Sequence, residues 1–191
     1  MQNAELTLES MEGKLTRWGQ SKMVQALMQV LLLIGIGTVA TLAKRLQPSL
    51  GIPGSSALLW LATLVAGRAI VRRNGGGVVM GATVAVMGIP LGLNHTFMYN
   101  LGLYGLTGLA LDVVALLPKI NISNPFGAVL CGMTAHMVKF GFITGAALAS
   151  SVTKHFLVIG LTQSAALHLA FGALAGLIGW GADRITRTRM K

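Results

Sequence analysis

Acidic residues are scarce in this sequence, and charged residues of both signs are few. Of its 191 residues, 5 are Asp or Glu and 15 are Lys or Arg, so that 10% are charged. Soluble domains carry about 25% charged residues, and the difference indicates a membrane protein. The formal net charge is +10, but the basic residues lie in short clusters between apolar runs, as membrane topology produces. They form no single basic patch, so we expect no nucleic-acid partner.

The sequence also has few of the residues that disulfide, metal and nucleophile chemistry needs. Cys131 is the only cysteine, which excludes an internal disulfide and a cluster of thiolate ligands. The 4 histidines include no close pair with metal-ligand spacing, and no Gly-x-Ser-x-Gly turn is present. We expect no metal, no cofactor and no catalytic residue. One enzyme alternative stays open, in which Ser164 and His168 act together on one helix face.

Long apolar runs make up most of the chain, and 53% of its residues are apolar. A membrane-spanning helix needs about 20 mainly apolar residues. The sequence predicts an all-α integral membrane protein with a six-transmembrane-helix bundle over residues 23–183. Residues 1–22 are predicted to form a cytoplasmic N-terminal segment with a short amphipathic helix, and residues 184–191 a basic cytoplasmic tail. The six predicted spans are 23–43, 57–71, 75–91, 101–117, 126–149 and 156–182.

Lysines and arginines in the short connections predict the orientation, because basic loops stay in the cytoplasm. With the N-terminus inside, the outer side holds only Lys44, Arg45 and Lys154. We therefore expect a multi-pass protein of the cell inner (plasma) membrane with both termini cytoplasmic. The cytoplasmic side then holds Lys14, Arg17, Lys22, Arg68, Arg72, Arg73, Lys119, Arg184, Arg187, Arg189 and Lys191.

Lys139 is the residue that points most directly to a function. It lies in the apolar stretch 124–149. A cation at membrane depth is energetically costly, so it usually faces a cavity or a partner and marks a pathway. The alternative is a lysine that extends to the membrane interface or satisfies a neighbouring helix. His136, three residues earlier, shares its helix face.

The depth of each polar residue in the membrane follows from the helical rise. Lys139 lies about 22 Å from the inner end of its helix, and His168 and Gln163 reach the same outer half. Asp112 lies about 8 Å from the inner end of its helix, too far to neutralise Lys139. We expect it to anchor the inner helix ends instead, which leaves an anionic ligand as the missing charge. The predicted substrate site comprises Lys139, His136, Gln163 and His168, with Asn94, His95, Tyr99 and Asn100 in the external connection above; Tyr99 and Asn100 would form a lid.

Small residues recur at four-residue spacing, as at Gly77, Gly81 and Ala85. Such stripes let membrane helices approach closely. Packing within the bundle is the simpler interpretation. The alternative is a docking face for another membrane subunit.

Three segments resemble the substrate-binding (S) components of energy-coupling factor (ECF) vitamin transporters. They are Pro53-Gly-Ser-Ser-Ala57, Arg72-Arg-Asn-Gly-Gly-Gly-Val-Val-Met-Gly81 and Gly105-Leu-Thr-Gly-Leu-Ala-Leu-Asp112. The resemblance covers the membrane region from the first span onward. It implies a non-enzymatic subunit that binds a small, vitamin-like micronutrient from the outer side. Its implied partners are a membrane scaffold subunit and two cytoplasmic ATPases that drive import.

The resemblance also implies a docking face for the scaffold subunit. Members of this family commonly dock through an Ala-x-x-x-Ala motif in the first span, of which this sequence has no strict match. The nearest candidates are Gly37, Ala40 and Thr41, and the stripe in the third span is the other. Two further classes stay open: a non-transporting membrane scaffold or assembly protein, and an intramembrane enzyme. A small molecule retained through gentle purification would separate a carrier from a scaffold.

Overall fold

The computed structural model describes residues 22–48, 50–93, 96–149 and 154–189, and every regular element in these stretches is helical. The predicted all-α class is confirmed. Residues 1–21, which include most of the predicted N-terminal segment, lie outside the described residues, as do Asn94 and His95. The helices are α1 (Lys22–Leu46), α2 (Leu58–Val71, preceded by a 3-10 turn at Ser55–Ala57), α3 (Gly76–Gly88), α4 (Phe97–Ala115), α5 (Pro125–Ala149) and α6 (Lys154–Arg189).

Four of these helices, α1, α4, α5 and α6, are long and apolar enough to cross a membrane. The other two, α2 and α3, are shorter apolar helices. Large apolar side chains such as Leu31 and Leu32 of α1 are half-exposed at the surface of the bundle. A water-facing surface rarely carries so broad an apolar face, whereas lipid accommodates it. The described chain is a helical protein of the membrane type.

Neighbouring helices form a closed ring in the order α1, α2, α6, α5, α4 and α3, which returns to α1. Helix α2 is the most deeply buried, and its side chains Trp60, Leu61 and Leu64 have no exposed surface. Apart from Thr63 and Arg68, its sequence is apolar on every face, which is the pattern of a helix surrounded by protein. The ring has two ends. At the Lys44 end α1, α3 and α5 finish; at the Asp112 end α2, α4 and α6 finish.

Asp112 holds the helix termini together at its end of the bundle. Its Oδ1 accepts a hydrogen bond from Nε of Arg68 at 2.6 Å, and its Oδ2 accepts one from the backbone N–H of Val78 at 2.9 Å. Val78 lies in the first turn of α3, where backbone N–H groups have no partner within the helix and favour a negative charge. The predicted anchoring role of Asp112 is confirmed.

Buried glycines set the closest approaches between helices. A side chain at Gly77 would collide with the carbonyl of Gly108, and one at Gly81 with the carbonyl of Tyr104. Gly37 packs in the same way against Thr83 of α3. The six predicted docking residues are all buried: Gly37, Ala40, Thr41, Gly77, Gly81 and Ala85. They form α1–α3 and α3–α4 contacts rather than an exposed face, so packing within the bundle accounts for them.

Several helix boundaries differ from the sequence expectation, and the two largest differences are at the end of α6 and the start of α4. Helix α6 continues without a break to Arg189, so Arg184 and Arg187 belong to a helix and not to a separate tail. Helix α4 begins at Phe97 rather than 101, because Thr96 caps it by accepting a hydrogen bond from the backbone N–H of Tyr99. The predicted lid residues Tyr99 and Asn100 are therefore part of a helix and not of a loop.

Candidate functional site: a cationic cavity at the Lys44 end

A cavity of about 530 Å³ lies at the Lys44 end. It is enclosed by the last turn of α1, the 3-10 turn before α2, the α3–α4 connection, and facing turns of α4 and α5. Exposed residues at its rim, such as Arg45 and Gly92, show that it opens at the protein surface. Its lining consists of Lys44, Arg45, Gln47, Ser56, Gly92, Leu93, Tyr99, Leu103, Tyr104, Lys139 and Ile143.

The charge of this cavity is entirely positive. Lys44, Arg45 and Lys139 line it, and no Asp or Glu is among its described lining residues. The two acidic residues in the described part of the chain lie at the Asp112 end. There Asp112 is paired with Arg68, and Asp183 with Arg187. No carboxylate in the described residues therefore neutralises the cavity.

Lys139 is buried, with 5% of its surface exposed. Its Nζ lies 5.2 Å from the centre of the Trp60 ring, a cation–π contact that partly replaces lost hydration. The edge of Trp60 in turn meets Tyr104 at 5.2 Å between ring centres. Within the described stretches Nζ has no hydrogen-bond acceptor and no anionic partner. The N–H donors of this ammonium group are therefore unused by the described residues.

The loop before α2 is fixed to the end of α1 by polar contacts. Nζ of Lys44 donates to the carbonyl of Ser56 at 3.1 Å. The Gln47 side-chain amide donates to the carbonyl of Ser55, and its oxygen accepts from the backbone N–H of Leu59 at 3.2 Å. These bonds hold Lys44 at the cavity edge without neutralising it, because a carbonyl carries no net charge.

One wall of the cavity is aromatic. Tyr99 packs edge-on against Phe142 of α5, with 5.2 Å between ring centres. Leu103 and Tyr104 lie where α4 widens into a π-helical segment, Leu101–Gly105. Such segments inside α-helices are frequent at functional sites, since the extra residue redirects nearby side chains. Here it places both side chains on the cavity wall while keeping them nearly buried.

The two membrane histidines lie beside each other but behind this cavity. Nδ1 of His136 contacts the carbonyl oxygen of His168 at 2.8 Å, and the two rings are 4.7 Å apart. Because a carbonyl oxygen only accepts, Nδ1 of His136 donates, and its Nε2 is a buried acceptor without a partner in the described residues. Gly54, with a φ of +84°, packs directly on both rings. The pair supports the loop before α2 and does not line the cavity.

The suggested Ser164 and His168 pair does not have the geometry of a nucleophile and its base. Nδ1 of His168 donates to the Ser164 carbonyl oxygen at 2.7 Å, whereas the Ser164 hydroxyl is 3.5 Å away. A nitrogen that carries its proton toward a carbonyl is not available to take one from the hydroxyl.

The predicted site residues divide into three groups. Lys139 and Tyr99 line the cavity. His136 and His168 lie behind it, Asn100 is buried in α4, and Gln163 is exposed on the surface of α6. Asn94 and His95 lie outside the described residues. The sequence reasoning missed Lys44, Arg45, Gln47 and Tyr104. One signal in the sequence could have found Lys44 and Arg45: they form a basic cluster on the predicted outer side, where few basic residues are expected.

No known protein family, curated protein or solved structure matches this chain. The three cations of the cavity provide positive charge for binding an anion. The hydrogen bonds to the Ser55 and Ser56 carbonyls and the aromatic wall fix the shape of the cavity. A cavity of this volume falls within the range of about 300–1,000 Å³ that is common for small-molecule sites.

Proposed function

We propose that this chain is the substrate-binding subunit of an ATP-driven micronutrient importer and captures a small anionic solute in the Lys139 cavity from the outer side. The observation that carries the proposal is the combination of Lys44, Arg45 and Lys139 around one cavity whose described lining residues include no carboxylate. A buried cation that lacks a protein partner is costly to maintain in a membrane protein. An anionic ligand would supply the missing charge.

All six helices would cross the membrane in this proposal. With its preceding 3-10 turn, α2 runs over Ser55–Val71, and α3 is 13 residues long. Both are short for a membrane of about 30 Å. However, most side chains of α2 are covered by neighbouring helices, and the turns flanking α3 extend its reach. The Lys44 end would face outward and both chain termini would face the cytoplasm, as the distribution of basic residues predicts.

Energy for import would come from other proteins. The resemblance to ECF S components suggests a membrane scaffold subunit and two cytoplasmic ATPases as partners. The docking surface would have to lie outside Gly37, Ala40, Thr41 and the α3 stripe, because these are covered by neighbouring helices. The same burial removes these six residues as a docking face in the non-transporting scaffold alternative.

The proposal is tested by asking whether the protein distinguishes charged from neutral ligands. Full-length protein in nanodiscs is titrated with acid and amide pairs of vitamins, such as nicotinate with nicotinamide and biotin with biotinamide. Native mass spectrometry of gently purified protein identifies any retained molecule. We expect one acid to bind about tenfold or more tightly than its amide, because a charge-assisted hydrogen bond is about twice as strong as a neutral one.

Lys139→Met should abolish this preference, and Lys119→Met serves as the matched control. Lys119 is an exposed lysine in the α4–α5 connection at the opposite end, so its replacement removes the same charge without touching the cavity. Equal binding of acid and amide in the wild type would rule out a charge-selective site. An empty protein with unchanged thermal stability across the whole panel would contradict solute capture altogether.

A further inference from the structure

A second basic site lies at the Asp112 end, remote from the Lys139 cavity. A cavity of about 450 Å³ there is lined by Ser123, Asp183, Arg184, Arg187 and Thr188. A smaller cavity of about 230 Å³ adjoins it, shares Ser123 and includes Arg72. We call the two together the Ser123 site. It is formed by the end of α2, the α4–α5 connection and the last turns of α6.

Two arginines, Arg72 directly after α2 and Arg187 of α6, converge on one hydroxyl in this site. Nη2 of Arg72 donates to Oγ of Ser123 at 2.8 Å, and Nη2 of Arg187 donates to the same oxygen at 3.3 Å. Like charges repel, so such a pair normally needs an anion nearby. Asp183 is the carboxylate partner of Arg187, whose Nε lies 2.8 and 2.9 Å from the two Asp183 carboxylate oxygens. Arg72 has no carboxylate partner in the described part of the chain.

Arg184 adds a second cation that no carboxylate in the described residues neutralises. Its guanidinium lies over the Trp180 ring at 5.6 Å, and its side chain is exposed. The Ser123 site therefore has Arg72 and Arg184 available for a ligand. Arginine guanidinium groups and a serine hydroxyl are the donors that phosphate oxygens commonly accept from.

The surroundings of the Ser123 site are those of the membrane interface. Nε1 of Trp180 donates to the carbonyl of Ser123 at 3.1 Å, and tryptophan is typical of the headgroup level. Apolar side chains stand exposed close along the chain, with Phe126 70% and Ile185 61% exposed. A water-soluble phosphate would gain nothing from these two residues, whereas acyl chains would cover them.

We propose that the Ser123 site binds the phosphate group of an anionic phospholipid, with its acyl chains along Phe126 and Ile185. This end is the one that the basic residues predict to be cytoplasmic, and basic pockets between membrane helices on that side suit such headgroups. The lipid phosphate supplies the anion that Arg72 and Arg184 lack. The proposal does not depend on solute capture at the other end of the bundle.

The test compares lipids of different charge on the full-length protein. Protein reconstituted in mixed phosphatidylglycerol and phosphatidylcholine is examined by native mass spectrometry. Thermal unfolding is measured in parallel in nanodiscs of phosphatidylcholine alone and with phosphatidylglycerol. We expect one phosphatidylglycerol to be retained in preference to phosphatidylcholine, with a higher unfolding temperature in the mixed nanodiscs. Equal retention of the two lipids would overturn the proposal.

Arg72→Gln and Arg73→Gln form a matched pair for this experiment. Arg73 is the neighbouring arginine, but it contacts Ala26 and Gln29 of α1 rather than the Ser123 site. We expect Arg72→Gln to weaken phosphatidylglycerol binding about tenfold, the scale of one lost charge-assisted hydrogen bond, and Arg73→Gln to leave it unchanged. Equal losses would indicate diffuse surface charge and refute a specific site.

A final arm separates lipid from free phosphate. Inorganic phosphate is added to protein in phosphatidylcholine nanodiscs at constant ionic strength. We expect no rise in the unfolding temperature. A rise that matches the effect of phosphatidylglycerol and is lost in Arg72→Gln would show that the site takes a soluble phosphate, and the lipid assignment would be wrong.

Discussion

The two ends of this helix bundle hold their buried charges in opposite ways. At the Asp112 end, the buried Arg68 is paired with a carboxylate that also caps a helix. At the Lys44 end, the equally buried Lys139 contacts the face of Trp60 and has no carboxylate partner among the described residues. Both cations are about 95% removed from the surface. Burial alone therefore does not determine how a cation is used.

The difference separates a structural charge from one that is available to a ligand. A paired buried cation contributes to the fold, and removing its partner leaves an uncompensated charge. An unpaired buried cation opposes the fold, and its persistence at a cavity is typical of a binding group. Substitutions at the two ends should consequently change stability in opposite directions.

The largest effect is expected at the paired end. Asp112→Ala leaves Arg68 buried without its anion and uncaps the first turn of α3, and breaking a buried pair in this way costs about 3–5 kcal/mol. This loss is measured as the change in the free energy of unfolding in detergent. The double variant Arg68→Met with Asp112→Leu should recover most of the loss, because it removes both charges. A loss below about 1 kcal/mol, the value of an exposed pair, would contradict a structural role for Asp112.

The opposite sign is expected at the unpaired end. Lys139→Met keeps a long apolar side chain beside Trp60 and removes a cation. An intramembrane lysine costs about 2.5–3.5 kcal/mol on insertion scales, and the lost cation–π contact offsets about 1 kcal/mol. We expect the ligand-free variant to be more stable by about 1.5–2.5 kcal/mol in thermal or denaturant unfolding. Lys119→Met, which removes an exposed lysine, should change stability by less than about 0.5 kcal/mol.

A destabilised Lys139→Met variant would show that the comparison is wrong. It would mean that the ammonium group of Lys139 stabilises the fold, as Arg68 does. The stabilisation would then come from an interaction other than the cation–π contact with Trp60. The same measurement on protein purified with a bound anion should reverse the sign, because the ligand then supplies the missing charge.

The position of a residue along the bundle could be predicted from the sequence, but the rotation of each helix about its own axis could not be predicted completely. The rise per residue correctly separated Lys139 from Asp112, which lie at opposite ends of the bundle. The prediction that Gln163 belongs to the substrate site is not supported by its exposed position, and the sequence already contained the reason. Five residues place it about 140° around α6 from His168, so the two cannot share one narrow face. Gln163 is exposed in the structure, and His168 is buried.

The residues that sequence reasoning missed depend on contacts between distant segments. Lys44 and Gln47 reach the cavity because the end of α1 is bonded to the loop before α2. Tyr104 reaches it through the π-helical segment of α4. Neither the hydrogen bonds between α1 and this loop nor the π-helical segment can be predicted from the periodicity of apolar residues. The packing of small residues, in contrast, followed directly from their spacing.

The smallest effect is expected at the exposed edge of the cavity. Arg45 lines the cavity but faces solvent, so its attraction for an anion is screened, with a Debye length of about 10 Å at 0.1 M salt and about 3 Å at 1 M. We expect Arg45→Gln to weaken binding of the preferred vitamin acid about threefold at low salt, the scale of an exposed charge pair. The difference should disappear near 1 M salt.

The salt dependence of anion binding then distinguishes the contribution of Arg45 at the cavity edge from that of Lys139 in its interior. The loss caused by Lys139→Met should persist at 1 M salt, because a buried charge is screened much less than an exposed one. Arg73→Gln, an arginine replacement at the Asp112 end, is the control for overall net charge. If Arg45→Gln and Arg73→Gln weaken anion binding equally, the cations act through the field of the whole protein. If only Arg45→Gln does, the anion enters past Arg45 and is held by Lys139.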